Sequence, residues 1–342
     1  MKRVALLCLA LAVALTARPS SAQQLEIRFL DVGQGDAVLI RSGTKTLLID
    51  AGSSVAVVSY LRAFHIDTID LVIASHNHAD HIGGMSGVLH STVVRFYMDN
   101  GVPQTTATYQ RTIQAVQASG AQYLNATNRT ITLGAARLHI LGPPADVPRT
   151  THDAPRTSSQ NNASVGVLIE YGEFHALFTG DSELHELDHW LSTGAIPHVH
   201  VVKVAHHGSP NGTSTAWIEA THPQVAVISV GAGNSYGHPS AGVIAEWESA
   251  GARVYRTDRD GSVLVLANDD GSFVVTTARA DTSGVVQVRP FARDTAAPTI
   301  AQPAMSPACY KICTWGKACG NSCINAAYQC HQPSGCACNA KP

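Results

Sequence analysis

The sequence predicts an α/β domain, led by an export signal and followed by a small cysteine-rich module. Three observations predict it. Short β-rich runs broken by glycine turns alternate with segments whose apolar residues recur at helical spacing. Residues 23–292 contain no cysteine, while seven of the eight cysteines crowd between Cys309 and Cys338. Lys2 and Arg3 precede an apolar run, Val4 to Leu15, and small residues follow at Ser20-Ser21-Ala22, the pattern of a removable secretory leader.

The leader is therefore assigned to 1–22, and Cys8 is discarded with it. Its apolar run is too short to span a bilayer, and the small residues argue against a buried N-terminal helix. In the domain, Glu26 to Leu30, Ala37 to Ile40 and Thr46 to Ile49 read as a β-meander, separated by Gly33-Gln34-Gly35 and Ser42-Gly43. Ala56 to Phe64 has helical spacing, and Leu71 to Ala74 is a buried-strand run that stops at Ser75. Further helices are expected after Gly83-Gly84, over Thr108 to Ser119 and over Ala241 to Ala250. Strands are expected near Ile131 and at Leu138 to Leu141, Val165 to Glu170, Ala176 to Phe178, Val199 to Val204, Val225 to Val230, Val254 to Arg256 and Val263 to Leu266. Pro143 to Asn162, rich in Pro, Thr, Ser and Asp, is a long loop, of a kind more often functional than idle. The domain spans 23–292, a Pro/Ala linker 293–307, and the cysteine-rich module 308–342.

Charge counts against a bulk nucleic-acid binder. Lys and Arg number 23 against 25 Asp and Glu, so no overall field exists to hold a polyanion or a membrane surface. A stable nucleic-acid complex is not expected, and no segment after the leader is long enough to cross a membrane. The tail cysteines are expected as disulfides rather than a zinc site, given an oxidising compartment, and seven leaves one thiol spare. The tail resembles small Cys-rich appendages of exported bacterial proteins. It carries no catalytic pattern and suits a stabiliser or a cell-surface attachment module. The protein is thus expected to be secreted, extracellular or periplasmic.

The 17 histidines are many for so few charges, and they cluster. Ser75-His76-Asn77-His78-Ala79-Asp80-His81 follows a buried strand and precedes Gly83-Gly84, so three imidazoles and a carboxylate meet at one strand end. Those groups suit zinc, or manganese where oxygen ligands share the site. A metal-free surface cluster is the alternative, but so many such groups in six residues are costly unless an ion orders them. Asp181 ends an apolar strand after Thr179-Gly180, where it reads either as a ligand or as the cap of a helix beginning at Ser182. His206-His207 follows another strand. Adjacent strand residues face opposite ways, so both rings reach one site only if the chain has turned at Ala205. Asp50 reads as a carboxylate that orients a ligand ring or as a plain turn residue before Gly52. Asn234, Tyr236 and His238 sit in a Gly-rich loop, either facing an anionic substrate or simply building the turn.

The run His-x-His-x-Asp-His resembles the signature of the metallo-β-lactamase superfamily. Phe29 to Ala37, Leu47 to Gly52, Leu177 to Asp181, Lys203 to Ser209 and Ser235 to Ser240 together resemble the hydrolase domain of ComEC-type competence proteins over about Gln24 to Leu266. The resemblance implies an αββα sandwich of two mixed sheets with two divalent metal ions at one edge. It further implies that His76 and His78 hold the first ion, Asp80 and His81 the second, and that Asp181 bridges them, with His206 or His207 completing the second. Asp36 and Asp50 would support these ligands, and Asp80, Asp181, His207 and His238 would serve catalysis. Many superfamily members carry a further His where this chain has Asn161-Asn162-Ala163-Ser164, so the first ion would have fewer protein ligands. His152, nearby, reads as a loop residue. Two ions sharing a water suit hydrolysis of a small-molecule or polymeric phosphodiester, extracellular DNA included. An acyl hydrolase of lactams or lactones, and a catalytically silent binding protein with a structural metal, are the competing readings.

Overall fold

The computed structural model describes residues 24–145 and 160–279, and the backbone of five short strands beyond them. The leader, His152 and the linker lie outside the described residues. The chain divides into two compact units, Met1–Arg293 and Asp294–Pro342. In the second, Lys311–Cys313 pairs in parallel with Ala337–Asn339, and Lys317–Cys319 pairs antiparallel with Ser322–Ile324.

The first unit runs β1 (Leu25–Phe29), β2 (Val38–Ser42), β3 (Lys45–Ile49), α1 (Ala56–Ala63), β4 (Thr68–Ile73), α2 (Ala79–Ile82), α3 (Met85–Ser91), β5 (Val93–Asp99), α4 (Ala107–Ser119) and β6 (Gln122–Asn125). It continues with β7 (Arg129–Leu133), β8 (Ala136–Leu141), β9 (Gly166–Tyr171), β10 (Phe174–Phe178), α5 (Leu184–Ser192), β11 (Val201–Lys203), α6 (Thr215–Thr221) and β12 (Val225–Ile228). Then come α7 (Ala241–Ser249), β13 (Arg253–Arg256), α8 (Thr257–Asp260), β14 (Val263–Ala267), β15 (Phe273–Thr277) and β16 (Val286–Val288). Two mixed sheets result, ordered β16-β15-β14-β1-β2-β3-β4-β5-β6 and β13-β12-β11-β10-β9-β8-β7.

Strand periodicity explains why they stack. In β3 and β4, Leu47, Ile49, Leu71 and Ile73 join one core, while Leu48, Ile69 and Val72 join another. The same division separates Val167 and Ile169 from Leu168 in β9. The first core lies between the sheets. The second packs the outer face of the larger sheet on Val57, Leu61, Met85, Val88 and Val116 of α1, α3 and α4. The third packs the smaller sheet on Leu187, Trp190, Trp217 and Trp247 of α5, α6 and α7. Strands covered on both faces read as continuous apolar runs rather than alternating ones, and the product is the expected αββα sandwich.

Strands β5, β6, β15 and β16 and helices α6 and α8 are not anticipated from the sequence. Strand β6 is an edge strand of mostly exposed residues, Gln-Tyr-Leu-Asn, and so carries little apolar signal. Helix α6 has seven residues, too few to establish a period. The expected strand over Val199 to Val204 is shorter, Val201–Lys203, because the chain turns after it.

Candidate metal centre

Strands β3 and β4 are parallel neighbours, as are β10, β11 and β12. Their carboxyl ends deliver Asp50, the Ser75–His81 loop, Asp181, His206-His207 and the Asn234–His238 loop. Asp36 arrives from the β1–β2 loop, whose amide donates to the Asp80 carbonyl at 3.2 Å. That approach needs Gly35: its φ is +117°, and a Cβ there would lie 1.9 Å from the Asp80 oxygen.

Asp80, His81, Asp181 and His207 each offer one ligand atom, all within 4.8 Å of one another. The ring of His81 donates from Nδ1 to Asp50 Oδ2 at 2.8 Å, and Asp50 also accepts from the Ser75 amide and hydroxyl, both at 2.7 Å. His207 Nδ1 donates to the Ser229 carbonyl at 2.8 Å, with Asp36 Oδ1 at 3.3 Å. Each ring thereby turns Nε2 inward. His81 Nε2 lies 3.1 Å from Asp181 Oδ2, and His207 Nε2 lies 3.3 Å from both Asp80 Oδ2 and Asp181 Oδ2.

Neither Nε2 has a hydrogen-bond partner, nor does Asp181 Oδ1. A bare ring nitrogen buried against a carboxylate is costly unless a cation lies between them. A ring whose other nitrogen donates to a carboxylate or carbonyl is also the form that binds metals. The donor set therefore fits a divalent ion. Charge gives the same answer. Burial favours a neutral Asp181, yet His207 and His81 hold it well below the usual carboxylate range. Burial also favours neutral rings at His81 and His207, but Asp181, with Asp50 and Asp36 respectively, drives both well above the ordinary imidazole value. The cluster demands positive charge, which protons or a metal ion can meet.

His76 and His78 stand beside this group, with His76 Nε2 at 2.9 Å from His78 Nδ1. Burial and then the neighbouring His81 lower both, His76 strongly, so they stay neutral. Asp181 Oδ2 lies within 4.0 Å of ring nitrogens of His76, His81, His206 and His207. Its capping alternative is not built: the residue at the start of α5 is Glu183, and no side chain caps that helix.

The turn needed at Ala205 is present. His206 and His207 take left-handed φ values of 48° and 53°, which brings both rings to the same edge. His207 joins the four-residue group. His206 is more exposed, its Nδ1 2.8 Å from Asn211 Oδ1 and its Nε2 3.3 Å from Asn161 Nδ2. Asn161 and Asn162 both donate to the carboxylate of Glu183, at 3.0 and 3.1 Å. In the loop after β12, Asn234 Oδ1 accepts from the Tyr236 and His238 amides, and Nδ2 donates to the Gly231 and His238 carbonyls. Of the two readings open for Asn234, these four bonds favour the turn. Tyr236, 66% exposed, stacks on His238, whose ring centroid is 5.6 Å from that of His206.

Sequence reasoning gave no role to Lys203, Glu183 or Glu186. Lys203 is buried beside Asp36 and Asp181, and Glu186 is buried under Ser164 and Ser182. The available signal for Lys203 was a lone cation at the end of an otherwise apolar strand run.

Among known proteins, the metallo-beta-lactamase superfamily model matches residues 30–232, more than half of the chain. The chain is similar to ComE operon protein 3 of Bacillus subtilis, 26% identical over 281 residues, covering 75% of this chain and 35% of that protein. It is similar to Recombination protein 2 of Haemophilus influenzae, 27% identical over 248 residues, covering 70% of this chain and 28% of that one. Competence protein ComA of Neisseria gonorrhoeae is 24% identical over 262 residues, covering 72% and 33%. The chain thus spans about a third of the length of these relatives. A solved structure, the metallo-beta-lactamase fold protein YhfI from Bacillus subtilis, aligns with a TM-score of 0.46 at 14% identity, covering 68% of this chain and 96% of that one.

Proposed function

The chain belongs to the metallo-β-lactamase superfamily, and from that premise we propose that it is an exported, metal-dependent phosphodiesterase. The observation that carries the reading is the group of Asp80, His81, Asp181 and His207, in which two inward-facing ring nitrogens are buried with no hydrogen-bond partner. His76, His78 and Asp181 would hold one divalent ion; Asp80, His81, Asp181 and His207 would hold the other. Zinc suits the mixed nitrogen and oxygen donors, and manganese is the alternative. Such a pair of ions supplies an activated water and neutralises charge that develops on the phosphoryl oxygens.

The chain's own groups do the rest. Asp50 and the Ser229 carbonyl each accept the Nδ1 proton of a ring, so that Nε2 is the nitrogen a bound ion would meet. Asp181 holds its carboxylate among four imidazoles, which restricts where a water and a phosphoryl group can sit. Asn161 and Asn211 hold the His206 ring through both of its nitrogens, and His238, whose ring lies beside it, would donate to the leaving oxygen or the phosphate. Phosphodiester is favoured over acyl substrates because two of the relatives carry recombination and competence names, which point to DNA. The leader and the cysteine-rich tail support export, with the tail as stabiliser or surface anchor. Among the described residues no helix is long and apolar enough to cross a membrane.

A substrate panel tests this. Metal-reconstituted protein should hydrolyse bis-p-nitrophenyl phosphate and linear DNA in preference to nitrocefin and a lactone, and chelation should abolish turnover. Preferential turnover of nitrocefin or the lactone would make it an acyl hydrolase. Metal binding without turnover of any of the four would make it a binding protein.

A further inference from the structure

Lys203 ends β11 on the face that Val201 turns toward the space between the sheets. It is 1% exposed, a rare state for a lysine. Its ammonium pairs with Asp36 Oδ2, donates to the Gly180 carbonyl at 2.8 Å and lies 3.6 Å from Asp181 Oδ1. Asp36 belongs to the larger sheet's β1–β2 loop, whereas Gly180 and Asp181 follow β10 of the smaller sheet. One buried cation therefore ties the two sheets together next to the metal centre. Asp36, Asp50 and His81 also bring ligand atoms within 4.8 Å of one another, but Lys203 already meets the charge of Asp36.

We propose that Lys203 is a positioning residue for the metal centre: it holds the Gly180-Asp181 turn through the Gly180 carbonyl and Asp181 Oδ1, and so aims Oδ2 at the rings of His81 and His207. The inference rests on the reading that Asp181 bridges the ions. It differs from a purely electrostatic effect in sign. An ammonium beside metal ions repels them, so charge alone predicts tighter metal binding once it is removed. Positioning predicts weaker binding, because Asp181 is released to turn away.

Lys203→Met alone strands the buried carboxylate of Asp36 and can fail to fold, since breaking one half of a buried pair is strongly destabilising. The variant of choice is therefore Asp36→Asn/Lys203→Met, which removes both charges, with Asp36→Asn as its reference. The probe is zinc alone, titrated against a chelating dye, and the metal-free proteins are also melted. The expected result is that the double variant melts near the wild-type temperature and binds zinc at least 10-fold more weakly than Asp36→Asn, the scale of losing a group that orients a ligand. Equal or tighter binding in the double variant would overturn the proposal and leave Lys203 as the neutraliser of Asp36. A double variant that no longer folds would overturn it too, by making the role structural. If the wild-type protein binds no zinc, the metal centre itself fails, a result readily told apart from the others.

Discussion

Asp50→Asn probes how the chain prepares a ring for metal. The wild-type carboxylate accepts three hydrogen bonds, from the Ser75 amide, the Ser75 hydroxyl and His81 Nδ1, at 2.7 to 2.8 Å. An asparagine has nearly the same shape but only one accepting oxygen. If its oxygen faces His81, its amide group meets the Ser75 amide, donor against donor. If its oxygen faces Ser75, the amide group meets His81 Nδ1, which must then give up its proton and pass it to Nε2. The second arrangement blocks the nitrogen that points at Asp181. Either way one buried donor loses its partner, at about 1 to 3 kcal/mol. Loss of an orienting carboxylate typically costs about 10- to 100-fold in metal affinity, equivalent to roughly 1.4 to 2.7 kcal/mol. Competition with a chelating dye measures the affinity, and circular dichroism establishes that the fold persists. A folded Asp50→Asn protein that binds zinc as tightly as wild type would refute the argument, because Asp50 would then be only a turn residue.

Two buried groups away from the ligands give pH dependences of opposite sign. His200 packs its ring against Phe174 and Phe273, and burial followed by the nearby His175 lowers it to about 4. The unfolded chain takes up that proton below about 6.5, so stability is complete above that pH and falls as the solution is acidified towards 4, by up to about 3 kcal/mol. His200→Phe should flatten this part of a urea-denaturation series run between pH 7 and 4.5, and an unchanged slope would contradict the assignment. Glu186 runs the other way. Burial raises it well above the usual range, and Ser182 Oγ already donates to the Thr179 carbonyl at 2.6 Å, so its 2.7 Å contact with Glu186 suits a protonated carboxyl donating to the hydroxyl. Its contribution is full below about pH 4.5 and is lost as the pH rises. Glu186→Gln, which mimics the protonated acid, should gain stability relative to wild type at pH 8 and not at pH 4, as read from melting temperatures at the two values.

The sandwich was legible because the strands are covered on both faces. Leu47-Leu48-Ile49 and Leu71-Val72-Ile73 write that burial directly as unbroken apolar runs. Edge strand β6 and the short α6 carried no comparable signal, since exposure and brevity erase the period. At the centre, the Ser75–His81 loop was legible because chemistry-bearing residues lie close in sequence. Other features depend on contacts distant in sequence. The burial of Lys203 follows from Asp36, 167 positions earlier, which the β1–β2 loop of the other sheet brings against it. The common orientation of His206 and His207 follows from two left-handed residues in succession; histidine enters that region more readily than most residues, but nothing in the sequence says that two neighbours do so here. For Asn234 the sequence leaves a substrate contact and a turn builder open, because a loop amide looks free there; its four bonds within the turn appear only once the backbone is in place.

The central claim is that Asp181 sits between two divalent ions. It is tested most directly by the metal-to-protein ratio of zinc-reconstituted, desalted protein, measured in parallel on wild type and Asp181→Asn. The expected ratio is about two ions per chain in the wild type and about one or fewer in the variant, with the fold retained, because a group shared by both ions has lost its charge. A wild type that retains no zinc, or an Asp181→Asn protein that retains the full wild-type complement, would contradict it.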